Sequence, residues 1–252
     1  MSSAAPRGGP QLIPRPPDVA PGAVPGWVGR LDAAAALDID AVRTRLGPFT
    51  VARSLSLARP ELRRSAVAVV LSPSEAGSGS AGRDGGGLDV VLTRRAWTMR
   101  THRGEVSFPG GTEDPGDDFP VGTALREACE EVGLDPDATE MAGALDPLTT
   151  FTSDRVVVPV VFLAGSPPTL VRSPHEVDGI LRVALHELVD PACYHQEVWT
   201  WGEVAGVPSA RNHPMHFFDL VGDTVWGATA SMLNQLLSLL LPPSPRIPGR
   251  DR

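Results

Sequence analysis

The segment Phe108–Leu134, FPGGTEDPGDDFPVGTALREACEEVGL, constrains the fold more than any other part of the chain. It joins a glycine pair to a stretch with helical character over Val121–Val132. Pro120 suits the first turn of that helix, and Gly133 suits the left-handed position just past its end. Glu127, Glu130 and Glu131 then stand at i, i+3 and i+4, which stacks three carboxylates on one face, about 5–6 Å apart at Cβ. From Glu113 to Glu140 ten acids share the stretch with one base, Arg126. Three like charges repel, and acids late in a helix also oppose the negative end of its dipole. Two arrangements relieve the repulsion: a fully solvated face, or a divalent cation among the carboxylates. Oxygen ligands without His or Cys at ligand spacing point to Mg²⁺ or Mn²⁺ rather than zinc. Gly110-Gly111 lets the backbone turn tightly and come close to a ligand.

Composition narrows the function classes. The 252 residues carry 30 acidic and 22 basic side chains, a formal net charge of −8. Duplex DNA binding depends on neutralising phosphates, so a nucleic-acid partner is not expected. The chain has no lysine, and every basic residue counted is arginine. That excludes a Schiff-base lysine and a Walker-type phosphate-binding lysine. Phosphate ligands remain open, because arginine grips oxyanions in a bidentate way. Two cysteines are too few for a disulfide framework or a four-thiolate zinc site. No apolar run reaches the ~18 residues of a membrane span, so no membrane partner is expected.

Seven prolines lie within residues 1–26, which predicts a disordered Pro-rich tail. With no apolar h-region it is no secretory signal, and the low cysteine count agrees with a cytoplasmic location. Residues 27–65 form an N-terminal extension whose helical spacing runs from Trp27 to about Arg45 and stops before Gly47-Pro48. Ala66–Ser72 and Val156–Ala164 read as buried strands, with Pro159 demoting the second towards an edge or bulge. Leu88–Thr93 alternates and reads as the partner of the first. Shorter strand candidates are Ile180–Ala184, Val198–Val204 and His216–Leu220. Thr224–Leu241 reads as a closing helix, and residues 242–252 as a second disordered tail. Mixed strands with helices between them indicate an α/β or α+β sandwich.

Arg126-Glu127-Ala128-Cys129-Glu130-Glu131-Val132-Gly133-Leu134, preceded by Gly111 and an acid, resembles the signature of the Nudix hydrolases, G-x5-E-x7-R-E-U-x-E-E-x-G-U with U aliphatic. The family's first glutamate is an aspartate here, and the stretch from Gly111 to Arg126 is one residue longer than standard. Counting from the glycine selects Asp117; counting back from Arg126 selects Asp118. Upstream, Leu92-Thr93-Arg94-Arg95-Ala96, Arg100, Gly104 and Phe108-Pro109-Gly110-Gly111 resemble a motif of the coenzyme A pyrophosphatase branch. Trp226-Gly227-Ala228-Thr229-Ala230 is similar to a W-G-x-T-A stretch of that branch. The resemblance covers residues 66–241.

It implies the Nudix α/β/α sandwich with a mixed sheet, and metal-dependent cleavage of a small-molecule diphosphate. Glu127, Glu130 and Glu131 would hold Mg²⁺ or Mn²⁺. Arg126 would orient box carboxylates, pairing with Asp118 or a neighbour. Glu127 or Glu176 would act as general base, with Asp178 the alternative to Glu176. Arg95 and Arg100, with Gly110 and Gly111, would bind substrate; Arg94, His102 and Arg103 complete a basic patch that suits the non-bridging oxygens and an extra phosphate. The branch implies coenzyme A or acyl-CoA as substrate. NADH or ADP-ribose is the alternative substrate class, and a non-catalytic nucleotide-binding module the alternative function class.

Overall fold

A computed structural model describes residues 6–46, 62–75, 87–149, 155–204 and 207–242. The strands in chain order are β1 (Asp18–Pro21), β2 (Arg63–Pro73), β3 (Leu88–Arg95), β4 (Val106–Ser107), β5 (Gly110–Thr112), β6 (Thr139–Ala144), β7 (Leu148–Thr149), β8 (Arg155–Ala164), β9 (Val177–Ala184), β10 (Tyr194–Val204), β11 (Val207–Leu220) and β12 (Asp223–Trp226). The α-helices are α1 (Leu31–Ala35), α2 (Ile39–Leu46), α3 (Val121–Val132), α4 (Leu185–Leu188) and α5 (Gly227–Leu240).

The central sheet is mixed. Its path runs β4-β3-β2-β8-β6, with β5, β7 and β9 joined to β2, β8 and β3. β2 and β8 pair in parallel, from Arg63 opposite Arg155 to Leu71 opposite Leu163. A parallel pair buried on both faces needs near-continuous apolar sequence, which AVAVVL and VVVPVVFLA supply. Strand alternation then divides the core. Ala66, Ala68 and Val70 of β2 join Val158, Val160 and Phe162 of β8 beneath Ala124, Ala128 and Val132 of α3. Val67, Val69 and Leu71 point the other way, into a core shared with Leu233, Leu236 and Leu237 of α5. The result is the mixed-sheet α/β/α sandwich the sequence implied.

Pro159 sits in the interior of this sheet rather than at its edge. The reason is local. β8 meets β7 up to Val157 and β6 from Val160 onwards, so Pro159 falls in the gap between two neighbours. Its carbonyl accepts from Leu145 N at 2.9 Å, and the N–H that proline lacks has no ladder partner to lose there.

The N-terminal segment departs most from expectation. Residues 6–26 follow a defined, hydrogen-bonded course over the surface instead of forming a loose tail, though only Gln11 among them is buried. β1 is the edge strand of a second, antiparallel sheet, ordered β1-β10-β11-β12, with Asp18 opposite Thr200 and Pro21 opposite Glu197. Gln11 is buried against Asp223 and Thr224. The prolines misled because they forbid helix but tolerate an edge strand. Past Trp27, the single helical stretch is two short helices. The break falls at Asp38, whose carboxylate takes the Ala41 N–H at 2.7 Å and so starts α2 afresh. Trp27 is buried, stacked on Phe218 with its indole N–H on Asn234 Oδ1.

Two further boundaries move. The first three residues of the expected closing helix, Thr224 to Trp226, give way to β12, because Thr224 and Val225 pair with Asp219 and Phe218 of β11. The strand expected at His216–Leu220 is the end of the longer β11. Most of the Gly/Ser-rich stretch 74–87, which the sequence reads as a loop, and of the expected tail 242–252 lies outside the described residues.

Deleting residues 1–22 removes β1 and the three hydrogen bonds of Gln11. At about 1 kcal/mol per buried hydrogen bond, the unfolding free energy should fall by about 2–4 kcal/mol. A urea titration of the shortened and full chains reads this; coincident midpoints would mean the segment contributes nothing.

Candidate active site

α3 carries the acidic face as the sequence predicts. It opens with Ala124 N on Pro120 O at 3.1 Å and closes at Gly133, whose φ of 63° is left-handed. Glu131 is buried, Glu127 is mostly covered with 16% of its side chain exposed, and Glu130 is open to solvent at 58%. The three carboxylates therefore share a face but not an environment.

Arg126 holds this face to the preceding loop. Its Nε and Nη2 donate to the Asp117 carboxylate at 3.2 and 3.1 Å, and Nη2 also reaches Thr112 O at 3.0 Å and Glu127 Oε1 at 3.1 Å. Nη1 donates to Glu130 Oε2 at 3.2 Å. Asp117 receives two more donors, Thr123 Oγ1 at 2.9 Å and its own loop's Asp114 N at 3.0 Å. The guanidinium, then these donors, hold its carboxyl down to about 2. Asp118 is exposed and contributes its backbone carbonyl to Gly122 N. The choice left open by counting thus falls on Asp117: the extra residue is absorbed in the loop between Asp117 and the helix. Thr123 is a partner the sequence reading missed.

Closeness to backbone requires glycine at 110, while glycine at 111 leaves room for the Glu127 carboxylate. A Cβ on Gly111 would lie 2.2 Å from Glu127 Oε1, and one on Gly110 would lie 2.5 Å from Ala66 O. With no side chain in the way, Gly110 N donates to Glu131 Oε2 at 3.3 Å. Little else favours the charge on Glu131. Burial, then repulsion from Glu127 and Glu176, outweigh that bond and the nearby Arg95, and its carboxyl is pushed up to about 7. Burial is also the main cause raising Glu127, against the pull of Arg126.

Glu176 reaches this face from outside the helix. The chain before it docks on the last turn of α3, with Val171 N on Val132 O and Ser173 N on Glu131 O, both at 2.8 Å. Glu176 is exposed, its carbonyl takes Ala96 N at 2.8 Å, and its carboxylate repels both Glu127 and Glu131. Arg95 projects towards the same face; its Nε is buried and among the described residues has no hydrogen-bond partner. Arg100 is exposed on the turn after β3. The remaining basic residues have other partners. Arg94 pairs with Asp178 and Asp223 at 2.9 and 2.8 Å, His102 with Glu105, and Arg103 donates to Met99 O. Asp178, bound to Arg94, is thereby placed away from the role of alternative to Glu176. Cys129 packs with its Sγ on Leu134 O, and burial raises its thiol.

Among the described residues no three His, Cys, Asp or Glu side chains are drawn together tightly enough to hold an ion as they stand. Arg126 occupies oxygens of Glu127 and Glu130, and the carboxylates repel one another. The donor set nevertheless fits a hard divalent cation: oxygen ligands only, on one helix face, with a buried member whose charge lacks compensation.

A family model described as the NUDIX domain matches residues 62–201. The chain belongs to this family. A Photorhabdus laumondii protein named "Uncharacterized Nudix hydrolase NudL" is 36% identical over 148 residues, 58% of this chain and 74% of that protein. A Yersinia pestis protein of the same name is 34% identical over 148 residues, 58% of this chain and 70% of that one. Among solved structures, a MutT/nudix family protein from Enterococcus faecalis aligns with TM-score 0.43 and 14% identity, covering 80% of this chain and 73% of that one. As a Nudix hydrolase the chain acts on pyrophosphate-containing substrates, and enzymes of this family generally use divalent metal ions. No helix among the described residues is long and apolar enough to cross a membrane.

Asp117→Asn weakens the clamp on Arg126 and lets it close on Glu127. We expect turnover to drop about 10–100-fold with secondary structure unchanged. Asp118→Asn should leave turnover at the parent value. Equal losses from the two variants would overturn the assignment of Asp117.

Proposed function

We propose that this Nudix hydrolase cleaves the diphosphate bridge of coenzyme A or acyl-CoA, giving 3′,5′-ADP and (acyl-)4′-phosphopantetheine. One observation carries the reading. The segment that resembles the coenzyme A pyrophosphatase motif, Leu92 to Gly111, folds as the β3–β4 hairpin and runs on into β5, which pairs with β2 beside the box helix. It delivers Arg95 beside Glu131 at one end and the Gly110 N–H onto Glu131 at the other. Both ends of the motif thus meet the carboxylate face, which supports reading them as one site.

In this reading Glu127, Glu130 and Glu131 hold Mg²⁺ or Mn²⁺. When bound, such ions neutralise diphosphate charge and lower the pKa of water. The chain's own residues do the rest. Arg95 and Arg100 take the non-bridging oxygens, and a second phosphate on the ribose would suit a guanidinium fork. Gly110 and Gly111 bind substrate through their backbone and keep side chains away from Glu127 and Glu131. Arg126, fixed by Asp117, holds Glu127 in place. Glu127 or Glu176 accepts the proton of the attacking water; Glu176 has the advantage of exposure and of freedom from Arg126. The leaving phosphate departs with its charge balanced by Arg95. Both cysteines are free thiols, which suits the reducing cytoplasm.

Incubation with coenzyme A and Mg²⁺ or Mn²⁺, followed by mass spectrometry, should show 3′,5′-ADP and 4′-phosphopantetheine. NADH and ADP-ribose assayed alongside should be cleaved more slowly; faster cleavage of ADP-ribose would reassign the substrate to dinucleotides. Glu131→Gln in excess Mg²⁺ should lose about three orders of magnitude in turnover, equivalent to about 4 kcal/mol of transition-state stabilisation. A near-parental rate would remove Glu131 from the metal site.

A further inference from the structure

We propose that Gln11, on the segment preceding β1, is a positioning residue that sets the loop 96–104 against the carboxylate face. The proposal rests on the reading of that loop, through Arg95 and Arg100, as part of the substrate site. Gln11 lies outside the stretch 62–201 matched by the family model, and no catalytic step uses it.

Its side chain is buried with only 7% exposed, and it uses both ends of the amide. Nε2 donates to Gly104 O at 2.9 Å and to Asp223 Oδ1 at 2.8 Å, while Oε1 accepts from Thr224 N at 2.8 Å. These partners stand 93, 212 and 213 residues away along the chain. A glutamine so satisfied fixes whatever it binds, because breaking any one bond strands a buried polar group.

What it binds is the closing residue of the loop. Gly104 N donates to Arg95 O at 3.1 Å, so Gln11 is joined to Arg95 through a single glycine. A Cβ at Gly104 would lie 2.4 Å from the ring of Trp97, which leaves the ring resting against bare backbone. The other arm of the amide runs a different way. Asp223, whose side chain is 4% exposed, takes Arg94 Nη1 at 2.8 Å, and Arg94 Nε donates to Asp178 at 2.9 Å. Asp178 is two residues beyond Glu176. One amide thus ties down both segments that flank the acidic helix.

The full-length protein with Gln11→Met, of similar length but without the amide, tests this. With whichever of coenzyme A and ADP-ribose is cleaved faster, KM should rise about tenfold while kcat stays within about twofold. Hydrogen exchange of peptides covering 96–105 should quicken. Trp27→Phe is the control: it loosens the same N-terminal region through Tyr194, Phe218 and Asn234 and makes none of the Gln11 bonds, so KM and the exchange of 96–105 should not move. A Gln11→Met enzyme with parental KM and exchange, or a Trp27→Phe enzyme that shifts both equally, would overturn the proposal. Arg100→Ala separates the two readings. If it raises KM and Gln11→Met does not, the loop contact stands and the brace falls. If only Gln11→Met raises KM, the brace stands and the Arg100 contact falls. Should neither substrate be cleaved, the exchange of 96–105 alone decides.

Discussion

The arrangement of the site follows from crowding negative charge onto one turn of helix. Burying a carboxylate costs free energy unless its charge is matched. Here the match is incomplete. Arg126 spreads its donors over Asp117, Thr112, Glu127 and Glu130, and so compensates the outer carboxylates. Glu131, deeper and beyond its reach, has one backbone N–H and the electrostatic pull of Arg95. That imbalance separates a structural ion pair from a binding site. The glycine pair and the docked segment before Glu176 gain their meaning from the same imbalance, since both bring backbone or charge to within reach of Glu131.

The sandwich supplies the rigidity. α3 rests on small side chains of β2, Ala66 and Ala68, which let the helix approach the sheet closely. β5 pairs with β2 directly, opposite Ser65 to Val67, so the glycine loop and the helix are referred to the same strand. The carboxylate-bearing turn and its glycine pair therefore cannot drift apart without disrupting two strands that are buried along most of their length.

Much of this was legible in the sequence because it is local. The helix Val121–Val132, its left-handed stop at Gly133 and the apolar strands of the parallel pair all follow from periodicity and from residues with special backbone needs. The register of the first acid was not legible, because a one-residue insertion can be absorbed on either side of Asp117, and only the Arg126 and Thr123 contacts decide. Arg94 looked like a member of the basic patch; its ion pairs with Asp178 and Asp223 are long-range and leave no trace in spacing. The N-terminal segment was misread for a related reason. Proline content reports what a segment cannot form by itself, while its packing here depends on strands nearly two hundred residues later.

That last relation has a consequence for how the molecule is made. β1 pairs with β10, and Gln11 closes on Thr224. During vectorial synthesis residues 11–21 are therefore made about two hundred residues before the partners they close on. Contacts of such high sequence separation form late and slowly. The nascent chain can assemble its parallel strands around the box helix first, and the segment 6–21 closes on β10 and Thr224 afterwards.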